Sequence, residues 1–171
     1  MIRSNTFRPQ AVLAGLFMLL VAGACVAQGA PATTGTAATQ AEPPGYDAAL
    51  AERLGADDYG MRKYVLVILK TGPTPLPRGE ARDAMFQGHF ANMKRLAAEG
   101  KLVLAGPLDG VDGRRGIFVF DTADLEEARA LVATDPVIAS GEMEAELHAY
   151  YGSAALLLLN EAHGTISRKS F

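Results

Sequence analysis

Lys63-Tyr64-Val65-Leu66-Val67-Ile68-Leu69, followed after a turn-rich Thr71–Gly79 by EARDAMFQGHFANMKRLAAE at residues 80–99, decides the fold of this chain. The first run is short, β-branched and aromatic, and charged and Gly/Pro residues bound it, which favours a strand over a helix. It is apolar on both alternating faces, so both sides of its sheet are expected to be covered. The second run predicts a helix in which Met85, Phe86, Phe90, Met93, Leu96 and Ala97 make one wide apolar stripe, closed by Gly100. On the helical wheel His89 falls inside that stripe, between Leu96 and Met93, so it points at the core.

Working outward, Lys101–Ala105 reads as a second strand broken by Gly106-Pro107, and Ile117–Phe120 as a third, with the Gly-rich Asp109–Gly116 between them as a hairpin connection. Asp124 with Glu127 has the spacing of a capping box and opens a second helix through Leu125, Ala128, Leu131 and Val132. That helix is expected to end at Asp135, because Pro136 disfavours helical geometry in the residue before it. If the helix reaches Asp135, the carboxylate also faces the sheet. Met143, Ala145, Leu147 and Ala149 alternate with Glu144, Glu146, His148 and Tyr150, a half-polar fourth strand. The order βαββαβ is an α+β, ferredoxin-like layout: a four-stranded antiparallel sheet with two helices side by side on one face. His89 and Asp135 are then expected to meet over the sheet. The apolar far face of the inner strands suggests sheet-to-sheet dimerisation.

The flanks read differently. Arg3 and Arg8 precede an apolar run from Ala11 to Ala22 that ends in small residues, the layout of a secretory signal over residues 1–27. Ala22-Gly23-Ala24 suits ordinary signal peptidase, whereas the same residues followed by Cys25 resemble a bacterial lipobox with Ala22 where Leu is usual. Both readings take the protein out of the cytoplasm to the periplasm or cell envelope, free or lipid-anchored at Cys25, with membrane contact only through that signal or anchor. Residues 28–45 are rich in Ala, Thr, Gly and Pro and are expected to form a flexible linker. A short packed helix is expected within 46–60, the main domain over 61–152 and an extension over 153–171. A net charge of −3 with both signs interspersed leaves no basic face for nucleic acid. Cys25 is the only cysteine, which excludes an intrachain disulfide and a Cys-based zinc site.

Lys63–Ile68, His89, the run Gly100–Pro107, Gly116-Ile117-Phe118, Leu125-Glu126-Glu127-Ala128 and Asp135-Pro136 together resemble the YciI-like (YCII-related) family over roughly Met61–Tyr151. Leu54–Met61 and Tyr151–Leu156 further resemble a longer, exported branch of it. The resemblance implies a dimeric ferredoxin-like α/β barrel with a His-Asp pair, here His89 and Asp135, in a pocket proposed as an active site. One branch of the family includes an enzyme that eliminates HCl from a chlorinated hydroxyhydroquinone, and related barrels include muconolactone isomerase.

A neutral imidazole can take a proton next to a carbonyl and return it elsewhere, while a carboxylate behind it fixes the tautomer. That suits a cofactor-free, metal-free lyase or isomerase on small cyclic or phenolic compounds, with His89 and Asp135 catalytic. Tyr64 and Arg95, by position alone, and Arg114 with Arg115, as anion holders in the Gly-rich loop, are substrate-binding candidates, although a solvated hairpin tip is the commoner reading of such a pair. Against this stand a non-catalytic small-ligand-binding or accessory dimer of the cell envelope, and a purely structural buried pair. Glu144, Glu146 and His148 share one strand face and could bind a cation, but such alternation usually marks an outward face.

Overall fold

The apolar run around Val65 lies at the centre of β1 (Met61–Thr71) in the structure, a computed structural model that describes residues 42–169. The signal segment, Cys25 and most of the linker lie outside the described residues. After a short α1 (Ala48–Arg53), the order is β1, α2 (Glu80–Ala98), β2 (Leu102–Pro107), β3 (Arg114–Phe120), α3 (Leu125–Ala133), α4 (Pro136–Ala139) and β4 (Met143–Ser153). A 3-10 turn at Ala154–Leu158 and α5 (Leu159–Ile166) follow.

The strands form one antiparallel sheet in the order β2-β3-β1-β4, the ferredoxin-like arrangement expected of βαββαβ. Period-two alternation sends Val65, Val67 and Leu69 of β1 and Phe118 and Phe120 of β3 towards the helices, where they pack with Met85, Leu96, Ala128 and Val132. The opposite side chains of β1 and β3, Tyr64 and Val119, join Val103 in a second cluster on the far face. Leu156 and Leu157 from the extension pack against that cluster, so the tail covers part of the far face.

Four local differences from the sequence reading have clear causes. β2 continues through Gly106 and Pro107 because it is an edge strand, where the missing proline N–H need not disrupt pairing; Pro107 lies opposite Gly116 of β3. Asp124 caps α3 by accepting from the Glu126 and Glu127 amides, but the box does not close: Thr122 accepts the Asp124 amide, and Thr122 and Lys101 donate to the Glu127 carboxylate. α3 stops at Ala133, before Asp135, because Asp135 is extended and caps a new helix, with Pro136 at its first position. The tail, expected only as an extension, folds into a 3-10 turn and a helix.

Candidate active site

His89 reaches the sheet from the middle of α2, and the ring is enclosed by aromatic neighbours. Phe118 of β3 stacks on it at a centroid distance of 6.0 Å, Phe90 lies at 5.3 Å, and Phe86 meets it edge-on at 6.0 Å. Asp135 arrives from the turn between α3 and α4. Its backbone is extended while its carboxylate accepts the Val137 amide at 3.1 Å, the usual geometry of a helix N-cap. Gly88 is what lets α4 come this close: a Cβ there would stand 3.0 Å from Pro136 Cγ. Pro136 is the residue after Asp135, so the small residue beside His89 helps seat its partner.

The result is a bidentate contact. His89 Nδ1 lies 3.0 Å from Asp135 Oδ1 and 2.8 Å from Oδ2, with Asp135 fully buried and His89 8% exposed. Nδ1–H donates to the carboxylate, which leaves Nε2 as the unprotonated nitrogen of the neutral ring. Nε2 makes no hydrogen bond among the described residues, and His89 lines a cavity of about 360 Å³. The walls are mostly apolar, including Leu69, Phe86, Met93, Pro107 and Phe118, and Arg115 is the charged side chain among them. In this setting Nε2 can accept a proton from a bound molecule, and the carboxylate stabilises the imidazolium formed.

Arg115 owes its place to a β-bulge. Leu69 pairs with Gly116 and Lys70 with Arg114, so Arg115 is the extra residue that breaks the alternation of β3. Bulges re-aim side chains, and this one brings Arg115 to the cavity that holds His89. Arg115 is within electrostatic reach of Glu142 and makes no hydrogen bond of its own among the described side chains.

A second buried carboxylate braces the cavity wall. Glu142 is fully buried, accepts from Arg82 Nη2 at 2.5 Å and from the Leu76 amide at 2.7 Å, and so ties α2, β4 and the 71–79 loop together. The hydrogen bond from Arg82 is the main reason its carboxyl is held below its ordinary range, against the opposing effect of burial. The same guanidinium covers the Phe86 ring at 4.9 Å, and Phe86 lines the His89 cavity.

The remaining sequence candidates lie elsewhere. Tyr64 is on the far face of the sheet, donating to the Ser153 carbonyl at 2.9 Å, with burial pushing its phenol up. Arg95 is on the outer side of α2, paired with Glu99 and bonded to Asn92 and Thr134. Arg114 pairs with Asp112 at the exposed hairpin, 3.1 Å away. None of the three lines the cavity, and the reason is geometric: strand parity turns Tyr64 away, helix phase turns Arg95 outward, and the bulge gives the inward position to Arg115. No signal in the one-dimensional pattern marks a bulge in a Gly-rich run, although both arginines stood out as anion-holding candidates. Glu146 and His148 bond to each other at 2.7 Å, with Lys70 3.5 Å from the Glu146 carboxylate, on the outward face that their alternation suggested.

The uncharacterized protein YjpA of Bacillus subtilis (strain 168) is 39% identical over 57 residues, which cover 33% of this chain and 65% of YjpA, just under two thirds of its length. Among solved structures, the 5-chloro-2-hydroxyhydroquinone dehydrochlorinase TftG of Burkholderia phenoliruptrix AC1100, in complex with 2,5-dihydroxybenzoquinone, is 20% identical with a TM-score of 0.39, over 51% of this chain and 92% of that one. Residues 63–147 match the YCII-related domain. This stretch contains His89, Asp135, Arg115, the helices packed on the sheet and all of the sheet but the first two residues of β1 and the second half of β4, so the part of the chain that carries the site is a YCII-related domain.

Proposed function

We propose that this protein is a cofactor-free acid–base lyase or isomerase acting on small cyclic or phenolic compounds, with His89 as the proton carrier and Asp135 as its positioning residue. The observation that carries the reading is the bidentate Nδ1–carboxylate contact of a histidine that lines an apolar cavity, which leaves Nε2 as the available base. His89 Nε2 takes a proton from a carbon or hydroxyl next to a carbonyl, and the electron pair moves onto the oxygen. Arg115 is the cation suited to that oxyanion. In an isomerisation the proton returns from Nε2 to another carbon. In an elimination a carbon–carbon double bond forms and the leaving group departs with its electron pair.

The wider setting belongs to the same proposal. The signal layout of residues 1–27 supports export to the periplasm or envelope, with Cys25 as the lipid attachment point if the lipobox reading holds. Leu66, Ile68 and Ile117 are only partly covered on the far face, which supports a homodimer joined sheet to sheet, the barrel-like pairing of the family.

The test is a thermal-shift and turnover screen against small lactones, phenols and quinols, run beside His89→Ala. A compound should stabilise the parent, be converted by it, and be left unconverted by a folded His89→Ala variant, a loss of about 10²–10⁴-fold for a removed acid–base group. Stabilisation without conversion would make the protein a binder. Unchanged turnover in His89→Ala would refute the assignment.

A further inference from the structure

A second cavity of about 330 Å³ adjoins the first, and Phe90, Met93 and Ala105 wall both. Its floor is the apolar side of α2 and the edge strand, with Ala97, Leu102 and Leu104, and its outer wall is the extension, with His163, Ser167 and Lys169. The extension lies beyond the part of the chain that matches the family, so this compartment is a feature of the tail. α5 is exposed along its length, and its Asn160 amide donates to the Leu102 carbonyl at 2.9 Å, which hangs the helix beside β2.

The chemistry of the lining is one-sided. Among the described residues no carboxylate borders the cavity, whereas Lys94, Lys169 and His163 all do. Neither lysine makes an ion pair among the described residues. On a chain whose net charge is −3, an apolar hollow whose described rim carries unpaired cations is complementary to one class of ligand. We propose that this compartment binds a small monocarboxylate with an apolar body, the body against Met93, Leu102 and Leu104 and the carboxylate at Lys94, Lys169 and His163. The hollow is at the small end of the roughly 300–1,000 Å³ typical of ligand sites, so a medium-length chain or a fused bicyclic ring is the size that suits it. The proposal does not depend on the catalytic reading of His89.

Calorimetric titration of the full chain with octanoate and 2-naphthoate tests it, with octanamide and 2-naphthamide as uncharged counterparts. At least one carboxylate should bind, and its counterpart should bind at least about tenfold more weakly. The double variant Lys94→Gln/Lys169→Gln should lose a similar factor, and Ala97→Phe, which fills the floor, should abolish binding. His89→Ala should bind as the parent does, because that ring belongs to the other cavity. The proposal fails if neither carboxylate binds, if the uncharged compounds bind equally well, or if the lysine variant keeps parental affinity. It also fails if His89→Ala removes binding, or if affinity falls as protein concentration rises, which would mean that a second copy fills the hollow. The lysine variant alters only exposed positions, so the test stands even if Ala97→Phe does not fold.

Discussion

Asp135 and Glu142 are two buried carboxylates seven positions apart, and each takes a side-chain partner from α2 and a backbone amide from a neighbouring turn. Their partners make them different. Arg82 is charged at any working pH, so Glu142 is held as a permanent ion pair that fastens the 71–79 loop to β4. Asp135 instead meets an imidazole, and His89 lines a cavity rather than a sealed wall. The same way of burying a carboxylate therefore serves as a clamp in one place and as the back of a base in the other.

Breaking the clamp should have the larger effect on stability. Arg82→Ala leaves the fully buried Glu142 carboxylate with only the Leu76 amide, and thermal denaturation should show a larger fall in Tm than any change at His89. Acid should act on the same contact. Because the Glu142 carboxyl is held below its ordinary value of 4.5, its contribution to stability is fully present above that pH and is lost as the pH falls through the lowered value. Glu127, Glu146 and Asp57 are lowered too, each chiefly by a side-chain hydrogen bond, so Tm should drop below about pH 4.5, and Glu142→Gln should flatten part of that slope.

At the other carboxylate, His89→Ala should cost about 1–3 kcal/mol in denaturant unfolding, the cost of leaving a buried acceptor short of a partner, because Asp135 keeps the Val137 amide and gains access to the cavity. A loss well above that would mean that the pair is sealed like the clamp. Asp135→Asn should barely change the volume but reverse the logic of the ring. Nitrogen NMR of His89 should show Nδ1 protonated and Nε2 bare in the parent, and a changed tautomer ratio in the variant. The smallest effect should come from Gly88→Ala, whose Cβ would press on Pro136 at 3.0 Å. A shift of a few tenths of an ångström should alter the His89 nitrogen signals while leaving Tm almost unchanged.

The legibility of the site follows the same division. His89 could be placed from sequence because helical phase is local: its position among Met85, Met93 and Leu96 fixes the face it shares. Asp135 was paired with it through the fold order and the family resemblance, and the pairing agrees with the contact observed, but the expected route was a helix reaching Asp135. The observed route is a helix end, a turn and a capped α4, since cap geometry depends on which backbone amides lie near. Arg95 and Tyr64 do not line the His89 cavity for the opposite reason: proximity in the pattern says nothing about the side of an element on which that cavity opens.

What the amino-acid sequence by itself determined is the order βαββαβ, the faces of β1 and α2 and the presence of His89 in the apolar stripe, because period and turn chemistry act over a few residues. What only the tertiary structure decided is the bulge that brings Arg115 to the cavity, the Gly88–Pro136 approach that seats Asp135, the Arg82–Glu142 clamp and the hollow beneath α5. Each of these depends on contacts between segments far apart in the chain, whose distances are set by packing and not by any local pattern.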